Sequence, residues 1–205
     1  NGHKDTVSER GHLVFKNVTF SYAQSEEPVL NNITFEAKSG EVTAIIGSTG
    51  SGKSTIANII PRFFEIQSGE ISINGQDIKK IPQKELRDKI GFVPQKAFLF
   101  SGTIEENIRY GKEDASIEEV KHAASIAQAD EFISDMEDKY DSFVAQGGNN
   151  LSGGQKQRIS IARALVRKPE VYVFDDSFSA LDFKTDKRLR KALKNEIKDS
   201  SAIII

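Results

Sequence analysis

The sequence predicts an α/β fold built on a parallel core sheet, and three observations carry that reading. The apolar run Val42-Thr43-Ala44-Ile45-Ile46 leads through a glycine-rich turn into apolar residues at helical spacing, Ile56, Ile59, Ile60, Phe63 and Phe64. Val171-Tyr172-Val173-Phe174 is continuously apolar, as a strand buried on both faces should be, and it ends in two carboxylates, Asp175 and Asp176. Ala202 to Ile205 supply the next core strand.

The turn in the first of these is Gly47-Ser48-Thr49-Gly50-Ser51-Gly52-Lys53-Ser54-Thr55, whose first eight residues fit G-x-x-x-x-G-K-[ST]. Glycines at 47, 50 and 52 allow backbone conformations closed to other residues and bring N–H groups close to an anion. Those groups form a nest for phosphate, and the following helix points its positive end at the same place. Lys53 in such a loop reaches the β- and γ-phosphates, and the Ser54 hydroxyl ligates Mg²⁺. Pro61 kinks or ends the helix. A glycine and serine turn that binds nothing needs neither Lys53 nor Ser54 nor these flanks, so a nucleoside triphosphate is the expected ligand.

Length and composition narrow the classes. At 205 residues the chain suffices for one generous domain or two small lobes with a real core. The net charge of -2, with both signs mixed throughout, offers no basic face, so no nucleic-acid partner is expected. The absence of cysteine excludes a disulfide framework and thiolate chemistry. The polar start Asn1-Gly2-His3-Lys4-Asp5 lacks the apolar segment of a signal peptide. No window approaches the roughly eighteen apolar residues of a membrane span, so any span is expected on another chain or a missing segment. Ser201-Ala202-Ile203-Ile204-Ile205 stops without turn or cap, and the chain reads as a fragment truncated at its C-terminus.

In chain order, residues 1–12 read as a disordered or appended leader, with His3 and His12 solvated rather than ligating metal. From Leu13 to Tyr22 apolar and polar residues alternate, and a loop from Ala23 to Pro28 leads to Ile33-Thr34-Phe35-Glu36-Ala37, a half-exposed antiparallel start. Tyr22 is either a strand-end aromatic or a surface on which a base stacks. Gly69 to Gly75 is a short strand running into an Asn-Gly turn. Lys89 to Val93 is another strand, stopped by Pro94. Gln95 follows it, where an open α/β sheet places ligand contacts or simply turns. From about residue 96 to 168 strand patterns vanish, and Thr103 with Glu106 and Ser116 with Glu119 open helices as capping boxes. His122 falls on the polar side of the second.

Inside this helical insert lies Leu151-Ser152-Gly153-Gly154-Gln155, followed by the apolar helical pattern Ile159, Ile161, Ala162, Leu165 and Val166. Ser152 and Gln155 form a capping box, but two glycines in a first turn cost about 1 kcal/mol each in propensity. What they provide is a bare helix tip that touches an anion. The chain thus carries two such tips and one nest lysine, and the second tip suits a nucleotide held by another molecule. Asp175 is placed to hold Mg²⁺ through water opposite Ser54, as in P-loop NTPases, and Asp176 to orient or deprotonate an attacking water, the alternative being that the two merely cap the strand end. A polar loop from Ser177 to Asp182 precedes a charged amphipathic helix from Phe183 to Lys198.

Together these residues resemble the nucleotide-binding domain of ATP-binding cassette (ABC) transporters over residues 13–205, with a RecA-like P-loop NTPase core, an N-terminal antiparallel β subdomain and a helical subdomain at about 96–168. The motifs are Gly47 to Thr55, Gln95, Leu151 to Gln155, Asp175, and Ser179-Ala180-Leu181-Asp182, in that order. The resemblance implies ATP and Mg²⁺ as cofactors, Tyr22 as the adenine-stacking aromatic, Gln95 as a contact to Mg²⁺ and γ-phosphate, and Asp182 in a loop bridging two sites. It further implies a head-to-tail dimer with a second such domain, each ATP lying between one nest and the other chain's LSGGQ, with Gln95, Lys53 and Asp176 serving catalysis. Phe98 to Ile108 resembles the exporter branch, whose transmembrane helices precede this domain and place it on the cytoplasmic face of the membrane. One departure stands out: Asp176 occupies the family's catalytic glutamate position. Its carboxylate is set back by on the order of 1 Å, and such a displacement can cost about a hundredfold in rate. The pattern resembles the degenerate half of a heterodimeric exporter. The alternatives are a soluble ABC ATPase of DNA repair or translation, which a coiled-coil insertion or basic arm would favour, and a binding-only regulatory half. The switch histidine of the family falls after Ile205.

Overall fold

The computed structural model describes residues 10–23 and 25–205. The chain begins with strands β1 (Leu13–Phe20), β2 (Leu30–Ala37) and β3 (Val42–Ala44), then helix α1 (Lys53–Ile59) and the hairpin β4 (Ser68–Ile73) and β5 (Gln76–Asp77). Helix α2 (Gln83–Asp88) and β6 (Ile90–Val93) follow, then β7 (Gly102–Thr103), α3 (Ile104–Arg109), α4 (Ile117–Ile126), α5 (Asp130–Ser134) and β8 (Phe143–Val144). The long helix α6 (Gly153–Val166), β9 (Val171–Phe174), α7 (Phe183–Glu196) and β10 (Ser201–Ile204) complete it. An antiparallel sheet in the order β2-β1-β4-β5 stands beside a parallel sheet in the order β3-β10-β9-β6.

The period-two rule explains how β9 joins two cores. Val171 and Val173 face a cluster shared with Ile56 and Ile59 of α1, with Ile60 just after it, and with Leu13, Phe15 and Ile71 of the antiparallel sheet. Tyr172 and Phe174 face the other way, into a cluster built with Ile159, Ala162 and Val166 of α6 and with Val120 and Ala124 of α4. All four β9 residues are buried, which is why the run carries no polar alternation.

Local signals set most boundaries. Asn74 and Gly75 turn the β4–β5 hairpin with φ of 54° and 77°, the left-handed pair that a two-residue hairpin needs. Thr103, Ser116 and Ser152 each accept from the N–H three residues on, and Glu106, Glu119 and Gln155 reach back, so all three expected capping boxes are formed. Pro61 ends α1 rather than kinking it. Phe63 N–H donates to Asn58 O at 3.1 Å and Arg62 N–H to Ile59 O at 3.0 Å, with Arg62 left-handed at φ 54°. Phe63 and Phe64, whose spacing suggested helix, are therefore thrown clear of it.

Three other expectations change. The stretch at 96–168 is not free of strands, because β7 and β8 pair antiparallel across it, Gly102 opposite Val144. Its last helix, α6, packs on the parallel sheet as well as on the helical cluster, so the insert shares a core with the sheet. Of the expected leader, residues 1–9, His3 among them, lie outside the described residues. Arg10 donates to Asp199 O and Lys168 O, Gly11 N–H to Asn74 Oδ1, and His12 meets Glu36 at 3.1 Å, so residues 10–12 belong to the fixed body. Among the described residues no helix is long and apolar enough to cross a membrane.

Candidate nucleotide-binding site

The parallel strands aim their carboxyl ends at one edge, and the turns leaving that edge carry the expected residues. The turn between β3 and α1 folds with Gly50 and Gly52 at φ of 80° and 89°, conformations that side chains rarely adopt. At Gly52 a Cβ would also stand 3.0 Å from Val29 O. Helix α1 starts with no side-chain cap and no acidic residue in its first turn, an end whose charge suits an anion. Lys53 bends back over the turn, donating to Gly47 O at 2.7 Å and Ser48 O at 2.8 Å. The Ser51 N–H also donates within the turn, to Ser48 O at 3.2 Å, and of the turn's residues before Lys53 it is Thr49, Gly50 and Gly52 that line the cleft, while Gly47, Ser48 and Ser51 do not.

Ser54 and Asp175, 121 residues apart in sequence, meet across the sheet edge. The Ser54 hydroxyl donates to Asp175 Oδ1 at 2.9 Å, and Asp175 is only 7% exposed. Next to it Gln95 Nε2 donates to Asp176 Oδ2 at 2.9 Å. Asp176 holds φ at 44°, a left-handed conformation that aspartate tolerates better than most residues. Its N–H donates to Ile205 O at 3.0 Å, and its carbonyl accepts from Ser179 Oγ at 3.0 Å. A cleft of about 620 Å³ unites these groups, lined by Tyr22, Thr49, Gly50, Gly52, Lys53, Ser54, Thr55, Gln95, Asp175 and Asp176, with Val29 and Ile205. Tyr22 closes one wall. Its hydroxyl lies 3.0 Å from Thr55 Oγ1, and its ring stands edge-on to Phe20 and Phe64 at 4.9 and 5.3 Å.

A divalent cation fits this donor set. A hydroxyl, one buried carboxylate and a side-chain amide are hard oxygen donors of the kind Mg²⁺ takes, and too few to hold the ion without phosphate oxygens. Among the described residues no three His, Cys, Asp or Glu cluster as an all-protein metal cage.

Leu151 to Gln155 do not line this cleft. Ser152 caps α6, Gln155 reaches back to the Ser152 N–H at 3.0 Å, and Gly153 has open space where a Cβ would project. Gly154 lies against Ala180 O, which a Cβ would meet at 3.2 Å, so the α6 tip rests on the Ser179 to Asp182 turn. Asp182 is spent locally. It caps α7, accepting from Thr185 Oγ1 at 2.6 Å and Thr185 N–H at 2.9 Å, and those bonds hold its carboxyl below the usual carboxylate range. Arg158, one turn into α6, stacks on Phe132 at 4.7 Å, and burial lowers its pKa.

This geometry has solved relatives. Residues 30–179 match the family model described as "ABC transporter". The chain belongs to the ABC transporter family. It is 50% identical, over 92% of its length, to an uncharacterized ABC transporter ATP-binding protein, YfiB, of Bacillus subtilis (strain 168), and covers 33% of that protein. It is 41% identical, over its full length, to an ATP-dependent lipid A-core flippase of Vibrio parahaemolyticus (serotype O3:K6, strain RIMD 2210633), covering 36% of it. A solved bacterial Atm1-family ABC exporter with ATP bound superposes with a TM-score of 0.90 at 40% identity, over 96% of this chain and 34% of that one. The chain thus spans about a third of the proteins it resembles. Family and fold make it an ATP-binding domain of the ABC ATPase type.

Sequence reasoning missed several supporting groups. Ser177 is buried and donates to Val93 O at 2.8 Å, and Gln157 is buried and donates to Pro94 O at 3.2 Å. Phe20 and Phe64 hold the Tyr22 ring. Only the double carboxylate before Ser177 hinted at a site there; nothing local marks Gln157.

Proposed function

We propose that this chain is the ATP-hydrolysing motor domain of a membrane exporter, working at the cytoplasmic face in a head-to-tail pair with a second nucleotide-binding domain. The Ser54 to Asp175 hydrogen bond carries the reading, because it brings the nest serine and the acid at the end of β9 to one point beside Lys53. The α6 tip outside the cleft supports the pairing, since it is built to meet a phosphate its own chain does not hold. Transmembrane helices, fused or separate, would supply the transport path. The relatives' threefold greater length leaves room for them.

In this reading the backbone N–H groups of Gly47 to Ser54 grip the phosphate chain, and Lys53 Nζ leaves its carbonyls to neutralise charge on the β- and γ-phosphates. Tyr22 stacks against the base. Ser54, Asp175 and Gln95 would hold Mg²⁺, which would neutralise charge on the phosphates when bound. Asp176 accepts a proton from the water that attacks the γ-phosphorus, while the bond from that phosphorus to the β–γ bridging oxygen breaks and ADP leaves with the electron pair; of its carboxylate oxygens, the accepting one is set back relative to glutamate. Gln95 occupies one of those oxygens, so this chain's own site turns over slowly. That pattern favours a heterodimer in which its Leu151 to Gln155 complete the partner's faster site. The test is Lys53→Ala in the full-length protein. ATP binding at this nest should fall at least about tenfold, roughly the weight of one charge-assisted hydrogen bond, while the fold melts unchanged. Undiminished binding would overturn the proposal.

A further inference from the structure

We propose that Gln157 is a positioning residue for Gln95, tying the LSGGQ helix to the catalytic edge of the same chain. This deepens the motor-domain reading above and rests on it. Strand β6 ends at Val93, and the carbonyls of Val93 and Pro94 leave the sheet just before Gln95. Val93 O is taken by the Asp175 N–H at 3.0 Å and the Ser177 hydroxyl at 2.8 Å, both from the turn that carries Asp176. Pro94 O accepts from Gln157 Nε2 at 3.2 Å. Gln157 is 2% exposed, little more than one turn along α6 from Ser152. A buried amide costs free energy unless it is bonded, so a glutamine among Ile159, Ile161 and Ala162 is there for its partner. That partner is the peptide joining Pro94 to Gln95. Gln95 in turn donates to Asp176. One run of contacts therefore joins the α6 tip, the glutamine and the short carboxylate, so a phosphate seated on the tip and the placement of Gln95 bear on each other.

The experiment compares Gln157→Met and Gln157→Glu with Gln95→Ala and the double variants, in the full-length protein, by equilibrium binding of MgATP and MgADP. Both Gln157 variants should reduce the preference for ATP over ADP about fivefold, the weight of one neutral hydrogen bond, with ADP affinity unchanged. The loss should disappear in the Gln95→Ala background, because residues acting through one another are not additive. Additive losses, or an unchanged preference in the Gln157 variants while Gln95→Ala lowers it, overturn the inference alone. An unchanged preference in Gln95→Ala itself overturns the inference together with the assigned role of Gln95. A fall in ADP affinity and melting temperature in both Gln157 variants marks the residue as core packing only, and also overturns it.

Discussion

Asp176 reaches Gln95 from a left-handed backbone pinned at both ends, by Ile205 O and Ser179 Oγ. A backbone so held resists moving forward to make up for a side chain one methylene shorter than glutamate. Asp176→Glu should therefore raise turnover of this chain's site, by up to about a hundredfold if reach is what limits it, as single-turnover hydrolysis in the paired assembly would measure. An unchanged rate would place the limit elsewhere. The residues that sequence revealed here are those whose chemistry is local. Lys53, Ser54 and the two aspartates announce themselves by type and spacing. Gln157 and Ser177 do not, because their partners lie 63 and 84 residues away and a buried glutamine in a helical pattern looks like any polar interruption. Asp182 carries a second, local duty that its place before a helix foretells, since it caps α7.

The α6 tip states the clearest conflict between propensity and use. Gly153 is exposed, and its missing Cβ would meet nothing. Gly153→Ala should stabilise the chain, by at most about 1 kcal/mol from helix propensity, and raise its melting temperature. If the proposed pairing holds, it should nonetheless slow ATP turnover in the assembly, because the added methyl would stand where that pairing brings the opposing phosphate. Helix α4 offers a pH test. Lys112 and the Ser116 N–H hold Glu119 down to about 2, against an ordinary 4.5. A depressed carboxyl stabilises the fold above its unfolded value, and the effect is lost as pH falls from 4.5 toward 2. Glu119→Gln should accordingly lower the melting temperature at neutral pH, and the gap to the parent should close across that window. Elements were legible where a cap or turn signal was strong, as at Thr103, Ser116 and Asn74. Periodicity alone failed at Phe63 and Phe64, where Pro61 had already released the chain, and at β7 and β8, each only two residues long.

At the scale of the whole molecule, one parallel sheet with a core on each face sets the nest at its carboxyl edge and carries α6 on its other flank. Of the two segments proposed to meet phosphate, the turn before α1 lines the cleft and the tip of α6 does not. The fold class followed from β9, whose four apolar residues needed cover on both faces, while the sharing of α6 between sheet and helical insert is a tertiary fact that no short stretch of sequence holds. In the proposed pairing the chain grips one ATP with Gly47 to Ser54 and a neighbour's ATP with the tip of α6. The direct measurement is photo-crosslinking with an ATP analogue reactive at its γ-phosphate, applied to the Lys53→Ala chain paired with an intact second domain. Labelling of Gly47 to Ser54 should disappear while labelling of Leu151 to Gln155 persists; loss of both together would contradict the pairing.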